Sequence, residues 1–224
     1  MPICKRKNDV FFKSWSLEMA YVLGFFAADG SMYVNPRGSH YVSFYSNDHE
    51  LLIKIRATLE SDHKICKRLS SGDSVYRYTL QIGSKDMFGD LEKLGFSRNK
   101  SKTVKFPKIP EGYLANFVRG YFDGDGNILF KNYFRKDRNK YKSYFATKFI
   151  SGSFAFLKGL RCALSTHSQV GDGSLYKGDR SFVLSYAEKD SKRLCAFMYN
   201  AVKNDLFLER KYSIYKKFID STGP

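Results

Sequence analysis

The sequence predicts an α+β fold of two pseudo-symmetric αββαββα repeats, with one apolar helix from each repeat packed against the other at the centre. Three observations carry this expectation. Residues 22–30 and 118–126 are two apolar stretches of matching design, each ending in Asp and then Gly. The order of strand-like and helix-like patterns after each of them is the same. A short stretch holding Pro107 and Pro110 lies between the two copies.

The helices come first in each copy. Gly24 and Ala28 in one, and Gly120 and Gly124 in the other, place small residues four apart on one face, which lets two helix backbones approach closely. The closing glycines, Gly30 and Gly126, read as ordinary helix stops. Asp29 and Asp125 precede them, where the last carbonyl groups already make the site negative, so both placements are electrostatically unfavourable. Packed side by side, the two helices would deliver a pair of hard oxygen ligands suited to Mg²⁺.

Strand-like residues 31–35, a turn at 36–38 and a second strand at 41–46 follow the first helix. Strand residues 127–134, a longer basic turn at 135–142 and a strand at 143–151 follow the second. Each hairpin runs into an amphipathic helix. Asp48 is placed to cap one, above Leu51, Leu52, Ile55 and Leu59; Ser153 is placed to cap the other, above Phe156, Leu157, Leu160 and Leu164. A further hairpin follows in each copy, clearest at residues 75–82 and 182–186, and leads into a helix opening at 84–86 or 188–190. The repeats are therefore expected over residues 1–104 and 113–224, joined by a stiff linker at 105–112 within the proline-bearing stretch.

Alternation along residues 75–82 puts Tyr76, Tyr78, Leu80 and Ile82 on one side of the strand and Arg77, Thr79 and Gln81 on the other. A sheet with one apolar face belongs against helices, which leaves a polar, basic face outward. Counting alternate residues on from the acidic helix ends adds Tyr33, Asn35 and Arg37 in one half, and Leu129, Lys131, Tyr133 and Arg135 in the other. Such faces suit the major groove, where Arg, Lys, Asn and Gln read base edges.

Composition narrows the partner. The chain has 224 residues, a net charge of +16, 16 Tyr and 20 Phe interleaved with Lys and Arg, which favours nucleic acid over an anionic membrane surface. No apolar run is long enough to span a bilayer, and basic residues 1–7 are not followed by an apolar segment, so a soluble, non-secreted protein is expected. Cys4, Cys66, Cys162 and Cys195 are scattered, and His40, His49, His63 and His167 form no paired motif, so neither a zinc site nor a disulfide framework is indicated. No phosphate-binding G-x-x-x-x-G-K-[ST] loop is present.

Residues 116–126, with the looser copy at 22–30, resemble the LAGLIDADG homing endonucleases in their single-chain, two-motif form. The resemblance covers nearly the whole chain. In the first copy Ala27 stands where many members carry an acid, while Asp29 keeps the position of the metal ligand. The resemblance implies two sheets forming one DNA-binding saddle, and cleavage of both strands of a long, asymmetric target by a monomer. It implies catalytic roles for Asp29, Asp125, Lys100, Lys211, Ser46 and Ser151, with metal held by Asp29 and Asp125 and contacted at Ala28 and Gly124. Asp123 reads instead as a local hydrogen-bonding residue. Tyr41, Ser43, Arg68, Lys148 and Ser185 complete the residues expected to face DNA.

Mg²⁺ is the implied cofactor, Mn²⁺ a substitute, and Ca²⁺ an ion that supports binding without cleavage. A mobile intron is the implied host element, in a prokaryotic cytoplasm or an organellar matrix. Some members of the family are RNA maturases, which would make the host intron RNA a second partner, and some are non-catalytic DNA-binding proteins. Both acids are retained here, which favours the nuclease. An intein-borne nuclease is disfavoured, because no splicing-domain sequence flanks the repeats.

Overall fold

The computed structural model describes residues 5–69, 76–200, 202 and 206–222. The first half runs α1 (Leu17–Asp29), β1 (Gly30–Val34), β2 (His40–Ser46), α2 (His49–Thr58), β3 (Ile65–Leu69), β4 (Tyr76–Gly83) and α3 (Lys85–Lys93). The second runs α4 (Leu114–Asp125), β5 (Gly126–Arg135), β6 (Lys140–Ser151), α5 (Phe154–His167), β7 (Ser174–Lys177), β8 (Phe182–Tyr186), α6 (Glu188–Tyr199) and α7 (Glu209–Thr222). Each half builds one antiparallel four-stranded sheet in the same order, β1-β2-β4-β3 and β5-β6-β8-β7. The α+β class and the matched hairpins are as the sequence implies. The second half departs from αββαββα by one helix, α7, whose Tyr215 and Phe218 are buried; Phe218 stacks on Phe145 of β6 at 3.9 Å.

Helices α1, α3 and α5 start where short polar side chains replace missing backbone acceptors. Ser16, Ser84 and Ser153 accept from the amides of Met19, Met87 and Phe156 at 3.0, 3.1 and 3.3 Å. Ser153 also donates to the Val104 carbonyl at 2.6 Å, which ties the residue just before the linker to the second half. Phe106 packs its ring against Phe117 and Phe156, so the linker is anchored rather than a free spacer. Ser153→Ala is expected to cost about 1 kcal/mol for the cap and about 1 kcal/mol for the deprived carbonyl. Urea unfolding should show a lowered midpoint with an unchanged slope.

Three local expectations are corrected. Asp48 occupies the residue before α2 but makes no capping bond; its carboxylate accepts from Arg210 Nε and Nη2 at 3.2 Å instead. An Arg fork satisfies both carboxylate oxygens at once, which a single amide does not. Gly30 and Gly126 have φ of −104° and −90°, so they are not left-handed stops. They are glycine for space, since a Cβ would meet the rings of Phe26 and Phe122 at 2.1 and 2.3 Å. Finally, half of the basic turn read at 135–142 is strand: Arg135 pairs with Lys140 and Phe134 with Tyr141, and the bend narrows to residues 136–139, with Asn139 at φ 46°. Cross-strand aromatic pairing favours extending the ladder over an eight-residue loop.

Candidate active site

The helices α1 and α4 meet through bare backbone. A Cβ on Gly24 would lie 2.0 Å from the Phe117 carbonyl oxygen, and one on Gly120 would lie 2.0 Å from that of Tyr21. At the C-terminal ends, a Cβ on Gly124 would come within 2.5 Å of the Ala28 methyl and 3.2 Å of Asp29 Oδ2. The Asp29 carboxylate thus lies against the last turn of α4, and Asp125 closes that turn. Burial raises the Asp29 pKa, opposed by the charges of Arg77, Lys100 and Lys211. Burial and then the neighbouring Asp29 raise Asp125 to about 6, against the pull of Lys100 and Lys211.

Among the described residues neither carboxylate accepts a hydrogen bond or closes an ion pair, and no third carboxylate, imidazole or thiol joins them. Two desolvated carboxylates that lack partners, with the backbone of Ala28 and Gly124 alongside, form an all-oxygen donor set. That chemistry fits a hard divalent cation completed by water and phosphate oxygens.

Lys100 and Lys211 are buried beside this pair. Lys100, in a 3₁₀ turn, donates to the Ala27 carbonyl at 2.8 Å. Lys211, in the first turn of α7, donates to the carbonyls of Asp123 and Gly126 at 3.0 and 2.6 Å, and to that of Phe122. Burial lowers both ammonium groups to about 8, with the surrounding carboxylates opposing the shift. Each lysine therefore holds a fixed positive charge against the end of its own motif helix. Ser46 and Ser151 lie at the far ends of β2 and β6 and accept from the amides of Asp48 and Ser153 at 3.0 and 3.1 Å, so each shapes the turn after its strand.

The residues read as outward that lie within strands share the faces turned away from the core, whereas Asn35 and Arg37 lie in the turn between β1 and β2. In the first sheet Val42, Phe44, Leu80 and Ile82 are buried, and the register puts Tyr33 across from Tyr41, Ser43 across from Gln81, and Arg68 across from Arg77 on the opposite face. Thr79 shares that face with Arg77 and Gln81. Ser43 is only 1 % exposed and accepts from Gln81 Nε2 at 3.3 Å, so Gln81 covers it. Asn35 lies just past β1, where its Oδ1 accepts from the amides of Arg37 and Ser39 and holds the turn. In the second sheet Leu129, Lys131, Tyr133 and Arg135 share the outward face with Lys148 and its neighbour Ser185. Arg135 is paired with Asp137, Nε to Oδ1 at 3.0 Å.

Sequence reasoning missed a polar cluster inside the core. Arg119 is 1 % exposed and donates to the carbonyls of Leu206 and Met198 at 3.0 and 2.8 Å. Asp123, equally buried, accepts from Tyr21 Oη at 2.8 Å and from the Leu208 amide at 2.9 Å. Arg119 in an otherwise apolar helix was the available signal; its partners are distant in sequence.

Residues 16–89 match the family described as LAGLIDADG-like domain, which is about a third of the chain. No curated protein matches it. Solved structures match nearly end to end. The homing endonuclease I-WcaI bound to its DNA recognition sequence is 15 % identical, with 92 % of this chain and 90 % of that one covered, at a TM-score of 0.59. The I-LtrWI LAGLIDADG homing endonuclease bound to target DNA is 15 % identical over 92 % and 90 %, at 0.61. I-SmaMI bound to an uncleaved DNA target in the presence of calcium ions is 13 % identical over 91 % and 90 %, at 0.57. Residues 16–89 are similar to the LAGLIDADG-like domain, and over about nine-tenths of its length the chain has the fold of the single-chain LAGLIDADG homing endonucleases.

Proposed function

We propose that the protein is a site-specific endonuclease that breaks both strands of a long, asymmetric DNA target as a monomer. The observation that carries this reading is the meeting of Asp29 and Asp125, desolvated and without partners among the described residues, at the joined ends of α1 and α4. In this reading residues 1–104 and 113–224 are two repeats joined by 105–112, and each repeat's outward sheet face grips one half-site. The two halves carry different residues at positions that match in the sequence repeat, Asn35 and Arg37 in the turn after β1 against Lys131 and Tyr133 in β5, so the half-sites differ. In this reading the host element is a mobile intron.

The carboxylates of Asp29 and Asp125 would hold Mg²⁺ or Mn²⁺, with the backbone at Ala28 and Gly124 alongside. When bound, such an ion supplies Lewis acidity at the phosphate and lowers the pKa of bound water. Lys100 and Lys211, fixed against helix-end carbonyls, place positive charge where the phosphate gains negative charge. Ser46 and Ser151 sit at the strand ends, where a hydroxyl can orient water. The outward lysines and arginines neutralise backbone phosphates on either side.

The test begins with a duplex selected by the protein from a randomised DNA pool in Ca²⁺. Sedimentation of that complex should show one protein per duplex, and affinity should fall with salt at a slope of roughly −0.9 per phosphate contacted. Replacing Lys131 by Ala should weaken binding to the second half-site more than to the first. A two-protein complex, or equal loss on both half-sites, overturns the monomeric, half-by-half assignment.

A further inference from the structure

The two halves hold their lysines differently, and the geometry points to Asp123 as a positioning residue that sets Lys211 in place through the backbone of Leu208. This rests on the nuclease reading above for its catalytic meaning, but the clamp itself is a matter of geometry. Asp123 Oδ2 accepts from Tyr21 Oη of α1 at 2.8 Å and from the Leu208 amide at 2.9 Å. The Leu208 carbonyl in turn accepts the amides of Lys211 and Tyr212 at 3.0 and 3.1 Å, so the first turn of α7 hangs from it. Lys211 then reaches back to the carbonyls of Asp123 and Gly126. One carboxylate thus ties α1, α4 and α7 together on both sides of the lysine. A hydrogen bond accepted by a buried carboxylate is worth more than a neutral one, because losing it leaves a desolvated charge without that donor.

Among the described residues the first half has no such device. Its residue at the matching place is Ala27, with no acceptor in its side chain, and Lys100 stands in a 3₁₀ turn with its ammonium bonded to one carbonyl. The clamp is therefore one-sided. Loosening it should slow the strand served by Lys211 and leave the other strand's cleavage in place, which a general loss of folding would not do.

The experiment follows each strand of the selected duplex separately in Mg²⁺. Asp123→Ala should slow one strand by roughly tenfold to a hundredfold, the scale of lost orienting contacts, and nicked duplex should accumulate. Lys211→Met should slow the same strand, and the double variant should be no slower than Lys211→Met, because both changes act through one group. Affinity in Ca²⁺ should stay within about threefold, near the additivity error for an uncoupled site. Asp123→Asn keeps one acceptor oxygen and should recover part of the lost rate. Equal slowing of both strands, or additive losses in the double variant, overturns the proposal.

Hydrogen exchange at the Leu208 and Lys211 amides supplies a readout independent of cleavage. Protection should fall in Asp123→Ala and fall less in Asp123→Asn; unchanged protection in both overturns the clamp. Should Asp123→Ala fail to fold, the Asn variant carries both tests. If the wild type cuts no duplex while protection falls as stated, the nuclease reading fails and the clamp stands.

Discussion

Gly24→Ala and Gly120→Ala are each expected to destabilise the protein by about 3 kcal/mol, at the upper end of what one misplaced methyl group costs in a packed core. The reason is the partner. The added carbon would lie 2.0 Å from a carbonyl oxygen of the facing helix, and 2.9 Å from two further backbone atoms, so no side-chain rotation relieves the clash. The helices must part. Alanine's better helix propensity offsets only about 1 kcal/mol. For a chain of this size the melting temperature should fall by roughly 2–4 °C for each kcal/mol. Gly89 in α3 supplies the control, since nothing lies within 4 Å of a Cβ built there. Gly89→Ala should raise stability by roughly 0.5–1 kcal/mol. Activity should suffer beyond the stability loss in the first two variants, because a displacement of about 1 Å at a reacting centre can cost roughly a hundredfold in rate.

Asp29→Asn and Asp125→Asn should abolish cleavage while leaving the fold and DNA binding intact. Asparagine keeps the size and one oxygen but removes the charge that would hold a divalent ion. Neither carboxylate accepts a hydrogen bond from a described residue, so no bond within the fold is lost. Removing one charge also relieves repulsion within a pair whose members are both raised by burial, and removes negative charge from the surface proposed to meet phosphate. Binding in Ca²⁺ should be unchanged or tighter, and the melting temperature in EDTA unchanged or higher. Loss of binding together with loss of cutting would show that the carboxylates hold the architecture rather than the reaction.

The sequence made the central helix pair legible because its information is local: small residues four apart, and an Asp-Gly end written twice. Strand faces were legible for the same reason, since alternation within one strand fixes which side chains share a face. What escaped were pairings between distant segments. Asp48 looks like a cap within its own neighbourhood, and only the fold brings Arg210 to it, 162 residues away. Asp123 was read as a local hydrogen bonder, whereas its partners lie 102 and 85 residues off. Lys100 and Lys211 stood out only through resemblance, because a lysine in so basic a chain carries little signal, and the backbone carbonyls that hold them have no sequence identity at all. The extension of β5 and β6 was hidden by its charge, which imitates a loop until Phe134 and Tyr141 are seen as a pair.

The central claim is that Asp29 and Asp125 form the cutting centre of a DNA endonuclease, and strand scission tests it most directly. A supercoiled plasmid carrying the selected site is incubated with wild-type protein in Mg²⁺, in Ca²⁺ and in EDTA, beside the double variant Asp29→Asn/Asp125→Asn. The account predicts linear plasmid with wild type in Mg²⁺ alone, bound but uncut plasmid in Ca²⁺, and no cutting by the double variant under any condition. Linear product from the double variant at near wild-type rate, or a wild type that binds the site and leaves it uncut in Mg²⁺ and Mn²⁺, would contradict it.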